Sequence, residues 1–232
     1  MSQKIKVAIL EDHQSITDGY LYRLDESKDI QVVGAAAFGE DLDPMLAGQP
    51  VDVLVMDINV PARPDNLNPF PALHAIRRVT QNYPDLNILV ISFLTQQTLI
   101  QALVELGVSG YIFKHDGESI RNLSRIVAMI AAHGIYFSQE AYDKLRIERS
   151  SRISPTLTAR QLEALSLCAA YPDHSTTEIA AQLEVASSTL RNLLSGAYLR
   201  LNVRTRAAAI ARLNQLGLTA LNFPGGGADG GK

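Results

Sequence analysis

The stretch KVAILEDHQS, residues 6–15, places two carboxylates, Glu11 and Asp12, directly after the apolar run from Val7 to Leu10. Adjacent like charges at the end of a buried strand repel each other and resist desolvation, so the arrangement calls for a cation. A third carboxylate, Asp57, ends the apolar segment VDVLVMD; a hydroxyl, Ser92, ends LNILVIS; an ammonium, Lys114, ends GYIFK. Hard carboxylate oxygens suit Mg²⁺, which prefers octahedral oxygen ligands and keeps several waters. In this reading Glu11 and Asp12 hold the ion, directly or through water. Asp57 gives it one oxygen and turns the other on phosphorus as a nucleophile. The metal and Lys114 neutralise the transferred group, and Ser92 donates a hydrogen bond to it.

These side chains can act together only if the elements carrying them converge. Apolar strand-like runs (KIKVAIL, IQVVGAAA, VDVLVMD, LNILVIS, GYIFK) alternate with helical patterns across about the first 130 residues. Strict βα alternation with near-continuous apolar strands predicts an α/β domain: a parallel sheet covered by helices on both faces. Functional groups in such sheets gather at the carboxyl ends of the strands, where all five residues fall. Ser15 is the expected cap of the first helix, Pro71 belongs to the first turn of the third, and residues 117–134 read as one helix.

Composition agrees with a folded, water-soluble chain. The 232 residues are 47% hydrophobic and 19% charged, with a net charge of -3. No apolar run reaches the roughly 18 residues of a membrane span, and the N-terminus has no signal-peptide pattern. Cys168 alone excludes an internal disulfide framework; His13, beside the acids, reads as a helix-entry residue rather than a metal ligand, and His74, His115, His133 and His174 make no zinc spacing. A cytoplasmic protein is expected. Residues 1–150 carry a net charge of -6 and residues 151–232 a net charge of +3, which suggests two domains with different partners.

The stretches LEDH, VMDINVP, VIS and GYIFK resemble the receiver domain of two-component response regulators, over about residues 4 to 134. The resemblance implies a flavodoxin-like (βα)5 sheet, Asp57 as acceptor of phosphate from a sensor histidine kinase, and Mg²⁺ held by Glu11, Asp12, Asp57 and the backbone carbonyl of Asn59. It also implies that Tyr111 is the aromatic switch that turns inward with Ser92. Two features depart from the pattern. Phe93 stands where a small residue usually follows the hydroxyl, and it would crowd the pocket. The loop NVPARPDNLNPFPAL is long and Pro-rich, suited to lid the site, contact a partner, or sit as a tolerated insertion.

Residues 135–154 read as a partly helical, charged linker. The all-α second domain then spans residues 155–218, and a Gly-rich tail, 219–232, is expected to be disordered. Thr158 and the Ser175–Glu178 box are helix caps, and Leu162, Leu165 and Cys168 form an inner face. Two short helices joined by a tight turn spell a helix-turn-helix, a pattern shared by DNA-binding and protein-interaction modules. Ser187, Ser188, Thr189, Arg191 and Asn192 have the types of base-reading residues, and Arg200, Arg204 and Arg206 those of phosphate contacts. LTARQLEAL, EIAAQLEVASSTLR and LRLNVRTRAAAI resemble the LuxR/NarL-type DNA-binding domain, and the order of domains is that family's layout. Ala186 replaces the usual capping Ser, Leu193 a common His, and Gln161 the usual Glu.

The resemblance implies a NarL/FixJ-type transcription regulator controlled by phosphorylation, binding double-stranded DNA as a homodimer and not itself an enzyme. An alternative keeps the DNA binding but makes the receiver a ligand- or partner-sensing module without efficient phosphorylation. A phosphatase-like hydrolase is a third reading. Asn59 disfavours it, because that position would need an Asp to donate a proton.

Overall fold

The computed structural model describes residues 4–147 and 157–218. Most of the charged run 146–152, Pro155 and the Gly-rich tail lie outside the described residues. The first domain runs β1 (Ile5–Leu10), α1 (Gln14–Asp25), β2 (Ile30–Ala36), a 3-10 turn (Gly39–Asp41), α2 (Leu42–Gly48) and β3 (Val53–Met56). A hairpin of β4 (Pro61–Arg63) and β5 (Asn66–Pro69) follows, then α3 (Ala72–Asn82), β6 (Asn87–Ser92), α4 (Gln97–Glu105) and β7 (Gly110–Phe113). The domain ends with α5 (Gly117–Arg121), α6 (Leu123–Ala131), β8 (Tyr136–Phe137) and α7 (Gln139–Ile147). The second domain is α8 (Ala159–Ala170), α9 (Thr176–Gln182), α10 (Ser187–Leu201) and α11 (Arg206–Gln215).

Among the described residues the main sheet has six strands in the order β2-β1-β3-β6-β7-β8, all pairs parallel. Strand side chains alternate between faces. Val7, Ile9, Val53, Val55, Leu89 and Ile91 pack under α1 and α6. Ala8, Leu10, Leu54, Met56, Ile88 and Val90 face α2, α3 and α4. The strand order reverses at β1, so a crevice opens between the carboxyl ends of β1 and β3.

Several local expectations are corrected. Helix α1 starts at Gln14 behind His13, with no side-chain cap, so Ser15 lies inside its first turn. The 117–134 helix breaks at Asn122, and Asp116 caps its first part by accepting from the amides of Glu118 and Ser119. The expected linker is partly receiver: β8 extends the sheet, Ser138 N donates to Tyr111 O at 2.9 Å, and Ala141 of α7 is fully buried. A short segment can join a sheet edge through backbone bonds alone, which a composition-based boundary does not register. The Pro-rich loop is an antiparallel hairpin with Arg63 opposite Asn66, and it lies against α8 rather than serving as a lid.

In the second domain both capping boxes form, Thr158 with Gln161 and Ser175 with Glu178. Gln161 thus closes the box as a Glu would. Ala186 stands at the N-cap of α10 with no side-chain bond to offer. Leu162, Leu165 and Cys168 are buried as expected, but α8 is buried almost all round. Its second face packs on the receiver, and one apolar core runs through both domains.

Candidate functional site

The crevice at the ends of β1 and β3 gathers the residues expected there. Backbone bonds fix the ends in register: Asp57 N donates to Leu10 O at 2.8 Å, and Lys114 N to Ser92 O at 3.0 Å. The Lys114 ammonium lies 2.6 Å from Glu11 Oε2 and 2.6 Å from Asp57 Oδ2, bridging the two buried carboxylates. Asp57 Oδ1 accepts from Asn59 N at 2.9 Å. Asp12 is more open, and its Oδ1 lies 2.9 Å from His13 Nδ1. Ser92 is fully buried, with Leu94 N at 3.4 Å from its Oγ.

One ammonium among three carboxylates leaves the pocket short of positive charge. Burial above all, with the Asp57 charge behind it, pushes the Glu11 carboxyl above its ordinary value despite the opposing pull of Lys114. The phenol of buried Tyr20 is raised too, first by burial and then by the charges of Glu11 and Asp57. The buried Oδ1 of Asn59 has no hydrogen-bond partner. Ligand atoms of Glu11, Asp12 and His13 lie within 4.8 Å of one another. An acidic, oxygen-rich and charge-deficient pocket fits a hard divalent cation.

Tyr111 points inward and is fully buried, its hydroxyl donating to Leu94 O at 2.5 Å. Burial, reinforced by the Asp57 charge, raises its phenol above the ordinary value. Phe93 does not fill the pocket: its ring is 48% exposed and lies over the Lys114 ammonium, 5.5 Å from centroid to nitrogen.

On the second domain Ser188, Thr189, Arg191 and Asn192 lie exposed along one side of α10, with Ser187 half-buried at its start. Arg200 and Arg204 are exposed, and Arg200 Nη1 also donates to Gln161 Oε1 at 3.1 Å. Arg206, expected among the phosphate contacts, is used otherwise. Its guanidinium donates to the carbonyls of His174 at 2.6 Å, Tyr171 at 2.8 Å and Cys168 at 3.3 Å, tying down the loop after α8. A cation opposite the carbonyls of a helix end and of the loop that follows is a structural clamp.

A second charged cluster was not foreseen. Glu163 of α8, fully buried, meets Arg77 Nε at 2.8 Å and His74 Nδ1 at 3.2 Å from α3, and Arg160 Nη1 at 2.7 Å from its own helix. Burial pushes Glu163 up, but the bonds from His74, Arg160 and Arg77 outweigh it and hold the carboxyl below its ordinary value. Its partners on α3 lie 86 and 89 residues away, a separation no local pattern signals.

Residues 7–125 match the family model described as response regulator receiver domain. Among curated proteins, the chain is 27% identical to the transcriptional regulatory protein DegU of Brevibacillus brevis, covering 89% of this chain and 92% of that one. It is 28% identical to the transcriptional regulatory protein DesR of Bacillus subtilis, covering 92% and 98%. A solved structure of RcsB from Salmonella enterica serovar Typhimurium, bound to promoter rprA in the presence of the phosphomimetic BeF3⁻, aligns over 91% of this chain and 99% of that one. Its TM-score is 0.64 at 19% identity, a likeness of fold. With a receiver pocket at the sheet's switch point and a compact four-helix domain behind it, the chain belongs to the response regulator receiver family.

Proposed function

We propose that this chain takes a phosphoryl group from the histidine of a sensor kinase onto Asp57 and, in response, regulates transcription by binding double-stranded DNA through α10. The observation that carries the reading is Lys114 bridging Glu11 and Asp57 at 2.6 Å on each side, in a pocket with fewer cations than carboxylates. An Asp57 oxygen attacks phosphorus; the bond from phosphorus to the donor nitrogen breaks, and the electron pair leaves with the donor. Lys114, already at Asp57 Oδ2, stays as counter-charge to the new phosphoryl oxygens. Ser92 Oγ, which accepts from Leu94 N at 3.4 Å and lies within hydrogen-bond reach of the Tyr111 hydroxyl, is placed to turn its own proton to one of them. Mg²⁺, held by Glu11, Asp12, Asp57 and Asn59, supplies further charge neutralisation when bound.

For DNA, Ser187, Ser188, Thr189, Arg191 and Asn192 are the proposed base-reading set, with Arg200 and Arg204 on phosphates. Arg206 supports that surface from within the domain. A homodimer would present two such helices to paired half-sites. No helix among the described residues is long and apolar enough to cross a membrane.

Intact-mass spectrometry after incubation with a small-molecule phosphodonor and Mg²⁺ tests the acceptor. A single phosphoryl adduct on the parent and none on Asp57→Asn is expected; an unmodified parent would refute the reading. Arg191→Ala should weaken binding to promoter DNA, and Arg204→Ala should reduce its salt dependence.

A further inference from the structure

A cavity of about 350 Å³ opens between the two domains, and none of Glu11, Asp12, Asp57, Ser92 and Lys114 lines it. Its receiver side is made by the 3-10 turn, α2, the end of the Pro-rich loop and α3; α8, α9 and the residues after them make the other. The deep wall is apolar. Phe70, Pro71 and Leu167 are buried there, and the Phe70 ring lies so close on Gly39 that any Cβ at that position would collide with it. Tyr171 adds a half-buried ring, stacked on His174 with centroids 4.9 Å apart.

The free polar atoms of the lining are mostly acceptors. His74 is buried, with Nδ1 3.2 Å from Glu163 Oε1. A neutral ring that donates Nδ1–H to that carboxylate keeps Nε2 as an acceptor, and Nε2 has no partner among the described residues. Gln182 gives Nε2 to His174 Nδ1 at 3.3 Å, which leaves its Oε1 buried and unpartnered. Glu184 stands at φ +55°, a left-handed position uncommon for a glutamate, and its carboxylate meets no cation among the described residues. Glu40 and Asp43 bring two more carboxylates. Arg63 reaches Glu40 only at 3.7 Å, while Arg78 pairs with Asp43 and keeps Nε as the unpartnered buried donor of the lining. Three lining carboxylates thus share one lining guanidinium.

We propose that this cavity binds a small organic cation with a flat apolar body, an amine or an amidine, that touches both domains at once. The excess of carboxylates and acceptors selects an N–H-rich cation over an anion, and the Phe70 and Tyr171 rings favour a flat body and offer a cation–π contact. A bare metal ion suits the site poorly, because Glu40, Asp43 and Glu184 are exposed and do not converge on one point. The volume falls at the small end of ligand pockets, roughly 300–1,000 Å³, and such pockets favour domain interfaces. A ligand that needs both walls binds only while the domains meet, so it stabilises that arrangement in step with its concentration.

Benzamidinium, a flat ring carrying an N–H-rich cation, is the probe. Titrated into the isotope-labelled full chain and followed by amide NMR, it should bind saturably and shift Gly39, Ala75 and Ala181. Benzoate and benzyl alcohol, with the same ring and the opposite charge or none, should bind far more weakly. Glu184→Gln should weaken benzamidinium by roughly tenfold, the low end for losing a hydrogen bond between charged groups. Glu40→Gln should weaken it less, because Arg63 already faces that carboxylate. Equal binding of benzoate or benzyl alcohol, an unchanged affinity in Glu184→Gln, or unmoved amides at Gly39, Ala75 and Ala181 would overturn the site. So would shifts centred on Asp12 and Lys114, which would place the probe in the acceptor pocket instead.

Discussion

Glu11 and Glu163 are both glutamates buried beside cations, yet their surroundings drive them in opposite directions. Glu11 shares one ammonium with Asp57, and burial wins: its carboxyl is raised. Glu163 is met by Arg77, Arg160 and His74, and their hydrogen bonds win over burial: its carboxyl is lowered. The first cluster is short of positive charge and has a buried, unpartnered Asn59 oxygen beside it. The second is charge-satisfied and joins two domains. Burial of a carboxylate alone therefore does not separate a reactive site from a structural one. The balance of charge and hydrogen bonds around it does.

The largest effect should come from removing the shared ammonium. Lys114→Ala leaves Glu11 and Asp57 buried with no cation between them, and loss of one partner of a buried ion pair costs about 3–5 kcal/mol. Urea unfolding in metal-free buffer should show that loss, and added Mg²⁺ should recover part of it. A variant as stable as the parent would mean that the pocket hydrates freely.

Glu163→Gln keeps the shape but removes the charge from the satisfied cluster, at an expected cost of about 1–3 kcal/mol. Its pH dependence is specific. A carboxyl lowered on folding contributes stability that is present above the ordinary glutamate value of 4.5 and is lost as pH falls through its folded value. The difference in stability between parent and Glu163→Gln should therefore shrink on acidification below about pH 4.5. A constant difference would break the contrast.

Glu11→Gln should show the opposite sign. A carboxyl raised on folding costs stability as pH climbs above 4.5 towards its folded value, so the metal-free parent should lose ground to Glu11→Gln over that window. Mg²⁺ should raise the melting temperature of the parent much more than that of Glu11→Gln. Equal shifts would argue against Glu11 as part of the cation site.

The smallest effect concerns Phe93. Its ring over Lys114 is a cation–π contact, of order 0.5–1 kcal/mol at a half-exposed site, so Phe93→Ala should be only slightly less stable in urea. Adduct formation and adduct loss at Asp57, followed by intact mass over time, should both quicken. Unchanged rates would show that the ring touches the ammonium without screening the acceptor.

Much of this was legible in the order of residues. Val7 to Leu10 and Val53 to Met56 are buried strands because continuous apolar runs bounded by helices have few other ways to escape water. Asp57, Ser92 and Lys114 converge because parallel strands must end on one edge, whatever lies between them. The caps at Thr158 and Ser175 are local chemistry, complete within four residues. Where the reading fell short, the deciding partner was distant or was backbone. Tyr136 and Phe137 form a strand because β7 offers an open edge. Arg206 turns from a surface role because three carbonyls, of the last turn of α8 and the loop after it, face it.

The sequence by itself determined the βα alternation of the first domain, the helices of the second and which reactive groups share an edge, since periodicity, strand-end position and capping act over a few residues. Only the tertiary structure decided how charge is shared among those groups and which faces meet. It placed one Lys114 between two carboxylates, gathered Arg77, Arg160 and His74 on Glu163, and turned a Pro-rich loop into a hairpin against α8. Coulomb and hydrogen-bond energies depend on ångström-scale distances between side chains far apart in the chain, and no local pattern encodes those distances.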